Sequence, residues 1–231
     1  MRLYLSSYRL GNHIDQLLNL VGSGRRMAII QNALDFIPAE DRKRYSETIY
    51  DIHGVFEALG FKTQPLDLRN YFGKKGEIAS TLKEFDLIWA VGGNAFLLNR
   101  AMYQSSFDKA LIHLLEQDEI AYGGWSAGIC VMGPTLKGID LCDKPHQIVQ
   151  GYDAEIRWQG LGIIEHVLVP HYRSDHPEAP MMEHVVAYLK EEEIPYQTLQ
   201  DGDVLLYNGQ EAPILLNRDA GKVSSFNLNK S

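Results

Sequence analysis

Gly124-Trp125-Ser126-Ala127-Gly128 has the spacing G-x-S-x-G. A serine flanked in this way can occupy a turn too tight for a Cβ on its neighbours, with its hydroxyl standing clear at the carboxyl end of a strand. Beside a base, such a hydroxyl attacks carbonyl carbon. The backbone N–H of Ala127, at a helix start, aims at the same spot and suits an oxyanion. Ile120 to Gly123 reads as the strand that feeds the turn, and Ile129 to Met132 as the helix that leaves it. The plain alternative is a glycine-rich turn that merely packs a helix on a strand.

A second turn, Gly92-Gly93-Asn94, follows the apolar run Phe85 to Val91 and opens a helical pattern over Phe96 to Met102. It can offer unblocked backbone N–H groups to an anion, or it can be a βα loop in which glycine relieves crowding. It is not G-x-G-x-x-G and has no Walker lysine, so a phosphate loop is not supported. Of the histidines after Ser126, His171 ends the apolar run Val167 to Tyr172. The carboxyl end of a strand is where an open α/β sheet presents residues to a ligand. Without further information, a strand-end histidine held by local hydrogen bonds is the commoner case. A metal set of His166, His171 and His176 has a five-residue spacing that suits neither one helix face nor one strand face. Asp201 and Asp203 share the turn Gln200-Asp201-Gly202-Asp203, Asp140 and Asp143 fall in the loop after the serine turn, and His176-Pro177-Glu178 reads as a helix start.

The elements that must position these groups alternate between short apolar runs and longer amphipathic segments. Arg2 to Ser6, Met27 to Ile30 and Thr63 to Leu68 read as strands, and Ile14 to Leu20, Glu77 to Lys83, Phe107 to Gln117 and Met181 to Lys190 as helices. Ala39 to Leu59 reads as one long helix ended by Gly60. Val204 to Tyr207, Pro213 to Leu216 and Lys222 to Phe226 read as closing strands, with turns at Asn208-Gly209 and Asp219-Ala220-Gly221. The expectation is an α/β fold with a mostly parallel sheet between helices, in one domain over residues 1–231.

The formal charge of −8 repels phosphate backbones, and the basic run Arg42-Lys43-Arg44 is interleaved with acids, so nucleic acid is not expected as a partner. Two cysteines, Cys130 and Cys142, have no zinc or redox spacing. No run approaches the ~20 apolar residues of a membrane span. These features point to a cytoplasmic protein without cofactor or metal, and leave monomer and homodimer open.

Taken together, Val91-Gly92-Gly93-Asn94-Ala95-Phe96-Leu97-Leu98 and the serine turn about thirty residues later resemble the dipeptidase E and cyanophycinase family of serine peptidases. Val169-Pro170-His171-Tyr172 looks like that family's histidine strand, and Leu199-Gln200-Asp201-Gly202 like its acidic turn. The resemblance implies a three-layer fold related to class I glutamine amidotransferases and the flavodoxin-like architecture. It implies Ser126 as nucleophile, His171 as general base and Asp201 as the orienting acid, with Asp203 the competing acid. It implies an oxyanion hole of the Gly93 and Ala127 N–H groups, and a small peptide as substrate. Two departures stand out. The glycine loop has Val91 where dipeptidase E has a third glycine, and Pro177 to His184 lacks the arginine associated there with an aspartyl carboxylate. Arg173, two residues past His171, would share its face if strand alternation continued, and with Asn94 is the substrate-binding candidate; Arg157 is next in line.

Overall fold

The computed structural model describes residues 1–74, 76–209, 211–219 and, for the backbone, 223–225. Ten strands are described: β1 (Arg2–Ser6), β2 (Arg26–Ile30), β3 (Lys62–Pro65), β4 (Leu87–Ala90), β5 (Ala121–Trp125), β6 (Val167–Val169), β7 (Tyr196–Thr198), β8 (Val204–Asn208), β9 (Ile214–Leu216) and β10 (Val223–Ser225). The helices are α1 (Ile14–Val21), α2 (Ala39–Thr48), α3 (Ile52–Ala58), α4 (Glu77–Leu82), α5 (Ala95–Gln104), α6 (Phe107–Glu116), α7 (Ala127–Cys130) and α8 (Ala179–Glu191).

Eight strands form one sheet in the order β10-β9-β8-β1-β5-β4-β2-β3. From β1 to β3 the pairs are parallel, while β8, β9 and β10 join antiparallel at the β1 side. Apart from the polar edge strand β3, the parallel strands are largely apolar on both faces because both faces are covered. Leu3, Leu5, Ala28, Ile30, Ile88 and Ala90 pack on the side of α4 to α8. The alternate residues Tyr4, Met27, Ile29, Leu87 and Trp89 pack against α1 and α3. This is the expected three-layer sandwich. β6 and β7 pair only with each other, as a parallel two-stranded sheet.

Residues 39–59 form two helices rather than one. Every residue of α2 is exposed or half-buried, whereas α3 buries Ile52 and Phe56, so the two segments do not share a continuous apolar stripe. The chain turns at Ile49 to Asp51, and Asp51 adopts an extended conformation that ends α2 and starts α3. β7 was not visible in the sequence, being three residues long, and the ends of the expected strand Lys222 to Phe226 lie outside the described residues. Among the described residues no helix is long and apolar enough to cross a membrane.

Register brings the carboxyl ends of β4, β5 and β1 to one place, since Ala90 aligns with Gly124 and Ser6 with Trp125. α7 then drops directly onto β4. A Cβ on Gly128 would stand 2.2 Å from the Ala90 carbonyl oxygen, and the Gly128 carbonyl accepts a 2.6 Å hydrogen bond from the buried Tyr122 hydroxyl. Gly128→Ala should therefore cost about 3 kcal/mol, because backbone cannot yield as a side chain can. Thermal unfolding checks this, and an unchanged melting temperature would contradict the packing described.

Candidate active site

Ser126 is the link between β5 and α7, with φ 51° and ψ −118°. That conformation is costly for a residue with a Cβ and persists only where the surroundings fix it. Here the Ser126 N–H donates to the Ser7 carbonyl at 3.2 Å, and its carbonyl accepts from Ile129 and Cys130. Gly92 lies against the serine: a Cβ there would come within 3.0 Å of the Ser126 Cβ and 2.7 Å of the Trp125 indole nitrogen. Gly93 has φ +135°, and a Cβ on it would meet the Ala33 carbonyl at 2.6 Å. The two glycine turns are thus in contact, and both glycines and Ser126 line one cleft of about 950 Å³. Ala127 is buried at the first position of α7, where a helix leaves its N–H without an intrahelical partner.

His171 comes from the other sheet, two residues past β6, and lines the same cleft although only 1% exposed. Its Nδ1 lies 2.8 Å from Asp201 Oδ1. A carboxylate only accepts, so Nδ1 carries the proton and Nε2 of the neutral ring is left with a lone pair. Burial alone would raise the Asp201 carboxyl, but the hydrogen bond and charge of His171, with a hydrogen bond from Ser7, hold it below its usual range. Asp203 does something else: its carboxylate accepts from the Gln200 and Arg218 backbone N–H groups and ties the turn together.

Ser7, which sequence reasoning passed over, is the hub of this arrangement. Its hydroxyl lies 2.9 Å from Asp201 Oδ1 and 3.3 Å from the Leu199 carbonyl, and accepts from the His171 N–H at 2.8 Å. Ser7 follows the last residue of β1, so a polar residue just past a central strand was the available signal. Asp143 was seen only as a loop residue. It is half-buried and accepts from the Ala95 N–H at 2.7 Å, while the Asn94 amide donates to the Lys144 carbonyl, so the loop after α7 clamps the start of α5.

Other candidates lie apart. The Asn94 side chain caps α5 by accepting from the Leu97 N–H, and is committed to backbone on both sides. Arg173 is outside the cleft, 65% exposed and bonded to Glu183 at 2.9 Å. The strand alternation that would have aimed it at the site ends at β6, and both His171 and Arg173 have positive φ, 58° and 52°. Arg157 stacks on Tyr103. His166 and His171 flank opposite ends of β6, so the metal set read from the sequence does not assemble. His171, His176 and Glu178 do place donor atoms within 4.8 Å of one another. The two rings, however, are stacked at 3.7 Å and 8°. A metal lies in the plane of each imidazole that binds it, and parallel planes share no such point.

A serine on a strained strand-to-helix turn, beside a histidine–carboxylate pair at the carboxyl ends of a parallel sheet, is the architecture of a hydrolase acting through nucleophilic attack. The comparisons narrow this. The model of peptidase family S51 matches residues 9–215, and the chain belongs to that family. Peptidase E of Streptomyces coelicolor is 26% identical over 215 residues, covering 90% of this chain and 78% of that one. The "Probable alpha-aspartyl dipeptidase" of Drosophila melanogaster is 25% identical over 222 residues, covering 94% and 87%. A crystal structure of a candidate peptidase E protein from Listeria monocytogenes EGD-e superposes with a TM-score of 0.71 at 22% identity, covering 94% and 98%. The protein is a peptidase with the fold seen in that structure.

Two outcomes test the geometry. Asp201→Asn should lower kcat/KM about ten-thousand-fold by releasing the histidine tautomer. Asp203→Ala should instead lower the melting temperature and keep kcat/KM within about tenfold; the reverse pattern would exchange the two roles. The second outcome concerns Asp143, whose carboxyl burial raises, the Ala95 N–H lowers and Glu178 raises again, to about 7. The folded protein keeps a proton there that the unfolded chain releases above about pH 4, so this group's contribution to stability falls as pH rises from about 4 to about 7. The melting temperature of Asp143→Asn relative to the parent should therefore climb across that window, and a constant difference would contradict the buried-acid account.

Proposed function

We propose that the protein is a cytoplasmic serine peptidase, one α/β domain that cleaves dipeptides and other short peptides without metal or cofactor. Ser126 attacks the scissile carbonyl, His171 Nε2 takes its proton and later hands it to the leaving amine, and Asp201 holds the imidazole in the productive tautomer. The N–H groups of Gly93 and Ala127 receive the oxyanion. Water then hydrolyses the acyl-enzyme by the same route in reverse. The observation that carries this reading is that His171, 2.8 Å from Asp201, lines the same cleft as the strained Ser126.

The short-peptide substrate is supported by the names of the peptidase E and dipeptidase relatives. A preference for N-terminal aspartate needs a cation within the cleft, because a desolvated carboxylate without a partner is strongly disfavoured. Arg42, Lys43 and Arg69 are the arginines and lysine that line it. An acidic side chain is therefore met from that side, not from Arg173.

A panel of dipeptides tests the proposal. The parent should hydrolyse Asp-Leu faster than Ala-Leu, and Ser126→Ala should lose about a million-fold in turnover with its fold intact. Turnover within tenfold of the parent would remove Ser126 as the nucleophile. Arg173→Ala should leave the ratio of Asp-Leu to Ala-Leu rates within about twofold; a collapse of that ratio would return the specificity role to Arg173.

A further inference from the structure

Five carboxylates line the cleft: Asp35, Asp41, Glu47, Asp67 and Glu178. Four of them have a cationic partner on the protein. Asp35 pairs with Arg42 at 3.1 Å and Arg69 at 3.5 Å, Asp67 with Arg69, Asp41 with Arg44, and Glu47 with Lys43. Glu178 pairs with no lysine or arginine among the described residues. Its Oε2 lies 3.9 Å from His171 Nε2, and its side chain is 37% exposed. It also stands close enough to the half-buried Asp143 to raise that carboxyl further, and it helps to raise the Cys142 thiol. Negative charge is thus concentrated, without a compensating lysine or arginine, beside the nitrogen that handles the serine proton. The residue is held in place: its N–H donates to His176 Nδ1 at 3.2 Å, and it directly precedes α8 in a helical backbone conformation.

We infer that Glu178 binds the free α-ammonium of the substrate and so restricts cleavage to the bond after an unblocked N-terminal residue. This rests on the short-peptide reading above and names the group that would give it its exopeptidase character. In a peptide cut after its first residue, the α-nitrogen is two bonds from the carbonyl carbon that Ser126 attacks, at 1.46 and 1.52 Å, or about 2.5 Å in a straight line. The carboxylate that reads the ammonium must therefore stand next to the nucleophile and its base. Glu178 stands 3.9 Å from that base and lines the same cleft as Ser126, and the ammonium supplies the cation it lacks. An N-acetylated peptide would bury the same carboxylate against a neutral amide, leaving it without a cation.

The test compares Ala-Leu with N-acetyl-Ala-Leu on the parent, on Glu178→Gln, and on both in the Ser126→Ala background. On the parent, kcat/KM should favour the free dipeptide by about a hundredfold or more. Glu178→Gln should raise KM for Ala-Leu about ten- to hundredfold and leave the acetylated form unchanged or improved, so that the preference largely disappears. Because an α-amine titrates near pH 8, KM for Ala-Leu on the parent should rise above about pH 8, and this flank should vanish in Glu178→Gln. A merely structural glutamate would not move that profile. Calorimetry on Ser126→Ala reads the same discrimination as binding, independently of turnover. A preference for the free amine that survives in Glu178→Gln would overturn the inference and leave the peptidase reading standing. Equal handling of the two forms by the parent would do the same. Failure of the parent to turn over either form, while Ser126→Ala binds both equally, would overturn the inference and the dipeptide reading together.

Discussion

The site depends on how closely α7 approaches β4. The helix can start immediately after β5 only if its first turn passes over the Ala90 carbonyl, and that approach leaves no room for a Cβ at Gly128. Once the helix is seated there, Ser126 has to connect strand and helix in a left-handed conformation, and its hydroxyl is pushed out above the sheet. Gly92 and Gly93 meet the same constraint from the neighbouring loop. A side chain on either would collide with the serine, the Trp125 indole or the Ala33 carbonyl. The cost of the strained serine is carried by buried backbone and apolar packing on both faces of the sheet.

The second requirement is that two separate sheets stay in register at the site. Ser126 belongs to the large sheet, while His171 and Asp201 follow the small β6–β7 pair. Ser7 joins them. Its carbonyl holds the Ser126 N–H and its hydroxyl reaches His171 and Asp201. One residue at the end of the central strand thus sets Ser126, His171 and Asp201, the three residues of the proposed catalytic set, relative to one another. The His176 ring stacks on His171 and the Tyr8 ring meets both edge-on, which limits rotation of the imidazole within the cleft.

How much of this could be read from the sequence follows from how local each constraint is. The serine turn was legible because its G-x-S-x-G string is local, although what demands glycine at Gly124 and Gly128 is the Ala90 carbonyl of β4. His171 and Asp201 were reachable only through resemblance to a family, since β6 is three residues long and β7 left no pattern. Local pattern could not separate Asp201 from Asp203; the hydrogen bond to His171 is made by Asp201, and that depends on the packing of β6 beside β7. Ser7 was legible only as a polar residue just past a central strand, because its role comes from the alignment of β1 with β5. Arg173 misled because alternation was extended past the strand into residues with positive φ. Glu178 looked like a helix start, which it is, but the same position also faces the cleft. Helix boundaries failed where burial changed, as at Asp51, rather than where propensity did.

In the proposed function, the geometry around Ser126 makes its hydroxyl the nucleophile. Labelling with a fluorophosphonate, followed by mass spectrometry of the digested protein, tests it without any assumption about substrate. The account predicts one phosphonyl group per chain, on Ser126, and a labelling rate reduced at least about a hundredfold in His171→Ala. Label on another hydroxyl such as Ser7, or a rate on Ser126 indifferent to His171, would contradict it.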